Sequence, residues 1–127
     1  MKTITEYKAF YFVGIGGIGM SALARYFQAV GKRVSGYDKT TSSITEALIQ
    51  EGCSVDFNGV VSKLPDAFIN PSETLVIYTP AVSDAHPQLQ YFKENGFEIL
   101  KRSEALGLIT RSKKALCVAG THGKTTT

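Results

Sequence analysis

Apolar positions along the chain come in two alternating forms: short unbroken runs, and longer stretches where they recur every third or fourth residue. The first run, Ala9 to Gly14 (AFYFVG), is aromatic and β-branched with no polar alternation. Such a run predicts a strand covered on both faces, as in a parallel sheet. Gly17 to Val30 then places Ile18, Ala22, Leu23, Tyr26, Phe27 and Val30 at helical spacing, with Gly31 as the stop. Val34 to Tyr37 predicts a second strand ending on Asp38. The polar turn Thr40 to Ser43 can cap a helix over Ile44 to Gln50, closed by Gly52. Ser54 to Phe57 reads as a short third strand, and Asn58 to Ser72, with Gly59, Pro65 and Pro71, as mostly loop. Thr74 to Tyr78 (TLVIY) is a fourth buried strand, stopped by Pro80. A helix over Pro87 to Asn95 has Pro in its first turn and Gly96 after its end, and leads to a fifth strand at Phe97 to Leu100. Ser103-Glu104 can start a helix to about Thr110, and Ala115 to Ala119 is the last strand.

Strand and helix alternate throughout. Right-handed crossovers then predict an α/β, Rossmann-like fold, a parallel sheet with helices on both faces. The expected division is residues 1–112 as one domain and residues 113–127 as the first strand and phosphate loop of a second, joined at the charged stretch Arg111 to Lys114.

Composition narrows the function more than the fold. A net charge of +3 is too small to argue for nucleic acid. Its excess, at Lys101, Arg102, Arg111, Lys113, Lys114 and Lys124, reads mainly as a solvated face. Cys53 and Cys117 lie far apart with no metal-ligand spacing, so reduced, core-facing thiols in a cytoplasmic protein are expected. The apolar segment near the start is broken by glycines and predicts neither a signal peptide nor a membrane span.

Two glycine loops carry the chemistry. Gly14-Ile15-Gly16-Gly17-Ile18-Gly19 fits G-x-G-x-x-G between a predicted strand and a predicted helix. The first Gly permits the tight turn, the second lets the backbone approach a diphosphate, and the third lets the helix pack closely. A bulky side chain at Gly16 is therefore expected to block a diphosphate and spare the fold. Asp38, at the end of the second strand, can take ribose hydroxyls, because a carboxylate accepts hydrogen bonds side by side. Alone, this pairing would predict NAD(P) binding.

The second loop, Gly120-Thr121-His122-Gly123-Lys124-Thr125-Thr126, follows the last apolar run. It misses the full G-x-x-x-x-G-K-[ST] spacing but keeps the parts that cradle a nucleotide triphosphate: backbone amides around the phosphates, a Lys charge, and a hydroxyl for Mg²⁺. The sequence reads as the amino-terminal piece of a longer ATP-using enzyme. A nicotinamide enzyme has no use for such a loop downstream of its dinucleotide loop.

Gly14 to Ser21, Ser35-Gly36-Tyr37-Asp38, Arg102-Ser103-Glu104 and Gly120 to Thr126 together resemble the Mur ligases of bacterial peptidoglycan synthesis, over the whole chain. The glycine loop followed by Met20 points to the alanine-adding branch; a murein-peptide recycling ligase is the alternative. The resemblance implies a cytoplasmic, three-domain enzyme whose first domain holds the UDP part of UDP-N-acetylmuramate. ATP activates the lactyl carboxylate, and the amine of L-alanine attacks the acyl phosphate. On this resemblance the UDP-sugar contacts are Gly14, Gly16, Gly17, Ile18, Gly19, Met20, Ser21 and Asp38, with help at the uridine end from the turn Thr79, Pro80, Ala81 and Val82. ATP would lie on Gly120, Thr121, His122, Gly123, Lys124, Thr125 and Thr126. Lys124 would serve catalysis at the transferred phosphoryl group, and Thr125 or Thr126 would hold Mg²⁺. His122 has a structural reading as good as a catalytic one. These 127 residues alone are expected to bind UDP weakly and to be inactive as a ligase. Relatives commonly carry Gly-His after the third strand, where this chain has Asn58-Gly59-Val60, and often Ser-Ser-Ala-Ile where it has Thr79-Pro80-Ala81-Val82.

Overall fold

A computed structural model of the chain describes residues 6–59, 64, 68–80, 82 and 85–109. The expected last strand, the charged connector and the whole second glycine loop lie outside the described residues.

Five parallel strands form one sheet in the order β3-β2-β1-β4-β5. They are β1 (Ala9–Val13), β2 (Arg33–Tyr37), β3 (Ser54–Asp56), β4 (Thr74–Tyr78) and β5 (Glu98–Lys101). The crossovers carry α1 (Ile18–Ala29), α2 (Ser43–Gln50) and α3 (Pro87–Glu94), and residues 102–109 form a further helix, α4.

β1 is buried along its whole length and divides the core by its own pleat. Phe10 and Phe12 face a cluster with Met20, Leu23 and Phe27 of α1, Leu48 of α2, and Ala105 and Ile109 of α4. Ala9, Tyr11 and Val13 face the other cluster, with Leu89 and Phe92 of α3 and with Leu64 and Phe68. The rings of Phe10 and Phe27 stack at 3.8 Å. Helices therefore cover both faces, as the unbroken apolar strands required.

Local chemistry sets the ends of the elements. β1 stops at Val13 because Gly14 turns to φ +95°, a left-handed conformation open to glycine. α2 starts on a reciprocal cap in which Ser42 Oγ accepts the Thr45 amide (3.2 Å) and Thr45 Oγ1 accepts the Ser42 amide (2.8 Å). β3 ends one residue earlier than its sequence predicts, because the Asp56 carboxylate accepts the amides of Asn58 (3.1 Å) and Gly59 (3.0 Å) and turns the chain. β5 is shifted one residue onward. Phe97 is used to close α3, its amide donating to the Phe92 carbonyl at 3.1 Å.

The chain runs outward from β1 to β2 and β3, then returns across β1 to β4 and β5 on the other side. The loops after β1 and β4 thus leave in opposite directions. A crevice opens between them at the carboxyl ends of the strands, where open α/β sheets place ligands.

Candidate functional site

The glycine loop after β1 is tied down at both ends. The amides of Gly14 (2.7 Å) and Ile15 (2.9 Å) both donate to the Tyr37 carbonyl at the end of β2. The Thr79 amide after β4 donates to the Val13 carbonyl at 3.3 Å. A Cβ placed on Gly14 would stand 2.5 Å from Thr79 Cγ2, so the turn and its neighbour leave no room for any side chain there.

Asp38 braces this loop. Its Oδ2 accepts the Gly16 amide at 2.8 Å, and its Oδ1 accepts from Thr40 N–H at 3.2 Å and Thr40 Oγ1–H at 3.4 Å. A carboxylate offers about four lone-pair sites, so Asp38 keeps acceptor capacity toward the cleft it lines.

The other glycines act differently from their motif roles. A Cβ on Gly16 would meet the Asp38 carboxylate at 2.6 Å and Thr45 Cγ2 at 3.0 Å, so a side chain there displaces the brace and presses on α2. Gly19 faces the flexible end of Arg102 at 2.9 Å, not a strand. Close packing on β1 belongs to Gly36, whose Cβ would meet the Phe12 carbonyl at 2.5 Å. Gly17 alone of the loop glycines has room for a Cβ, which would sit at ordinary contact distance from the Gly14 carbonyl (3.7 Å) and the Met20 side chain (3.8 Å).

α1 opens on Gly17 with no side-chain cap and no acidic residue in its first turn. Its first intrahelical bond runs from the Ser21 amide to the Gly17 carbonyl at 2.8 Å. The amides of Ile18, Gly19 and Met20 donate to no backbone acceptor among the described residues, so the positive helix end is available to an anion.

Beside this loop lies a cleft of about 450 Å³. Gly14 and Gly17 line it from the glycine loop; Tyr37, Asp38 and Lys39 line it from the end of β2. Thr79, Val82 and His86 line it from the β4–α3 connection. Of the residues expected from sequence, Gly14, Gly17, Asp38, Thr79 and Val82 come together here. Gly16 stands behind Asp38, Met20 and Ser21 are buried, and Ser21 Oγ–H donates back to the Ile18 carbonyl at 2.9 Å. Ile18 is 83% exposed, and neither it nor Gly19 nor Pro80 lines the cleft. Ala81 and residues 120–126 lie outside the described residues.

Tyr37, Lys39 and His86 were not legible as site residues, whereas Val82 belongs to the turn that the resemblance put at the uridine end. Tyr37 and Lys39 had one signal, their place beside Asp38. His86 had another, its place directly before a helix-opening proline. The rings of Tyr37 and His86 lie 4.4 Å apart. Burial, then the Asp38 and Asp56 carboxylates, raise the Tyr37 phenol, which stays neutral. Burial lowers His86 below its usual range, with Asp56 opposing. Beneath them runs a buried chain: Tyr11 Oη–H donates to Gln88 Oε1 (2.8 Å), and Gln88 Nε2–H donates to Asp56 Oδ2 (3.1 Å). It pins the start of α3 to β1 and β3.

The groups gathered here bind rather than react. They are backbone amides, an accepting carboxylate, a hydroxyl, an exposed lysine and an aromatic wall. Among the described residues no group of three or more His, Cys, Asp or Glu could hold a metal ion. Cys53 is buried, its thiol pushed up by burial and donating to Gln28 Oε1 at 3.2 Å, which suits a core thiol.

Comparison with known proteins adds the rest. The family described as "Mur ligase family, catalytic domain" matches residues 9–114. The chain is 56% identical over 124 residues to UDP-N-acetylmuramate–L-alanine ligase of Phocaeicola vulgatus, covering 98% of this chain and 27% of that protein. It thus spans about a quarter of the length of the curated relatives it matches. Its structure resembles UDP-N-acetylmuramate–alanine ligase of Thermotoga maritima with a TM-score of 0.73 and 30% identity, over 83% of this chain and 23% of that one. UDP-N-acetylmuramate:L-alanyl-γ-D-glutamyl-meso-diaminopimelate ligase from Neisseria meningitidis shares the fold, with a TM-score of 0.65 and 21% identity over 76% of this chain and 29% of that one.

Proposed function

The chain belongs to the Mur ligase family, and from that membership we propose that it is the UDP-N-acetylmuramate-binding domain of the ATP-dependent ligase that adds L-alanine to that nucleotide sugar. The observation that carries the reading is the cleft at the switch point. There an uncapped helix end and the open face of Gly17 meet the Asp38 carboxylate. A diphosphate suits the helix amides, and a ribose suits the remaining lone pairs of Asp38. High identity to alanine-adding relatives supports this branch over the recycling ligase, with which only the fold is shared at low identity.

The ligase reaction is assigned on sequence. ATP would sit on Gly120 to Thr126, Lys124 would neutralise the transferred phosphoryl group, and Thr125 or Thr126 would hold Mg²⁺. A cytoplasmic location is proposed on the same grounds. No helix among the described residues is long and apolar enough to cross a membrane.

Titration calorimetry of the chain with UDP, ATP and NADH tests the binding reading. Heat with UDP and none with NADH is expected. Binding of NADH with no response to UDP would return the glycine loop and Asp38 to a nicotinamide module.

A further inference from the structure

Resting on the uridine-nucleotide reading of the cleft, we propose that His86 reads the base, donating a hydrogen bond from Nε2–H to the C4 carbonyl of uracil. Four observations support it. First, His86 lines the cleft beside Tyr37, half-buried, on the β4–α3 connection and not on the glycine loop that suits the diphosphate. Second, its tautomer is set: Nδ1 accepts the Gln88 amide at 3.2 Å, which places the proton of the neutral ring on Nε2. Burial keeps the ring in that neutral form.

Third, Nε2 has no hydrogen-bond partner among the described residues and is not among their buried unpaired atoms. It stands beside Gly59, where a Cβ would come within 2.9 Å of it. Bare glycine therefore keeps room next to the only nitrogen of the ring that is left to bond. Fourth, the ring cannot drift easily. Gln88, two residues on, is fully buried and bonded to Tyr11 and Asp56.

The rest of the cleft does not supply this function. Asp38 only accepts, Lys39 is an exposed, flexible cation, and the hydroxyls of Tyr37 and Thr79 can turn to accept as well as to donate, so none of them is a fixed donor. A fixed neutral N–H separates a carbonyl from an amino group at the same ring edge, which is the difference between uracil and cytosine.

The test is calorimetry of the chain and of His86→Asn with UDP and CDP. Asn is a strong helix cap and preserves an acceptor for the Gln88 amide, but it is too short to reach where Nε2 stands. The chain is expected to prefer UDP by about tenfold or more. His86→Asn should lose most of that preference through weaker UDP binding, with CDP affinity and melting temperature unchanged. A variant that keeps its preference, or loses UDP and CDP affinity by the same factor, overturns the proposal.

A chain that binds UDP and CDP alike leaves the site reading standing and removes His86 from it. A chain that binds neither overturns both. A second measurement is independent of the variant. In ¹⁵N-labelled chain, UDP but not CDP should bring a slowly exchanging imidazole N–H into view. It should belong to His86, with His122, the other histidine, as the internal comparison. No such resonance with bound UDP overturns the assignment.

Discussion

At the scale of single residues, the loop glycines divide by what stands opposite each one. Gly14→Ala would combine a left-handed backbone with a clash on Thr79 and should destabilise the fold. Gly16→Ala would push out the Asp38 brace, so it is a poor probe of ligand contact, contrary to its expected role. Gly17→Ala is the clean probe, since its φ of −69° suits any residue and its Cβ would meet its neighbours only at ordinary contact distance. It should leave the melting temperature nearly unchanged and weaken UDP at least about tenfold, because a methyl would stand between the ligand and the helix amides. Equal UDP affinity would move the diphosphate elsewhere. The first loop was legible because its spacing is local. The wall made by Tyr37 and His86 was not, because 49 positions of sequence separate rings that only the sheet brings together.

His86 also links the site to pH. Its folded pKa is below the usual ~6.5. The folded chain therefore binds fewer protons at this group than the unfolded chain. The stability it contributes is complete above about pH 6.5 and is lost as pH falls through the lowered folded value. Asp56 on β3 is the charged group that opposes the shift, and Tyr37 on β2 presents a neutral ring. Urea midpoints taken at about pH 7.5 and about pH 5 should fall further for the chain than for His86→Asn, which has no imidazole to protonate. Equal drops would show that the imidazole gains its proton as readily folded as unfolded.

At the scale of elements, periodicity was sufficient for type and order but not for ends. Each described strand and helix lies where the apolar pattern put it, because strands covered on both faces cannot alternate and helices must show one apolar side. The ends were decided by groups the pattern ignores: the Asp56 turn, the φ of Gly14, and the use of Phe97 to close α3. The packing of α1 on the sheet rests on Phe27, 2% exposed and stacked on Phe10. Phe27→Ala should cost about 3–5 kcal/mol, by removal of the ring and by the cavity left behind. Denaturant unfolding measures this directly. A loss below about 1 kcal/mol would mean that α1 collapses into the gap and that the stack contributes little.

For the molecule as a whole, the reversal of strand order at β1 decides where a ligand can act. Two of the loops that border the cleft start from neighbouring central strands, β1 and β4, yet they lead to opposite halves of the sheet. A ligand between them joins the halves, as neither half can do alone. UDP at a hundredfold excess over its Kd should raise the unfolding free energy by about 2.7 kcal/mol. The distribution of that gain is more telling than its size. Hydrogen exchange should slow in the Gly14–Ser21 loop, at Asp38–Thr40 and at the start of α3 together, since each borders the same cleft. The opposite end of the strands offers a competing basic groove, with Lys8, Lys32, Arg33 and Glu73. Protection confined there would show that the ligand is held by surface charge, because among the described residues that side offers the carboxyl end of α1 and not the amino end that suits an anion. Protection of the glycine loop without the start of α3 would mean that the ligand engages one half only, and the reversal of strand order would then have no part in holding it.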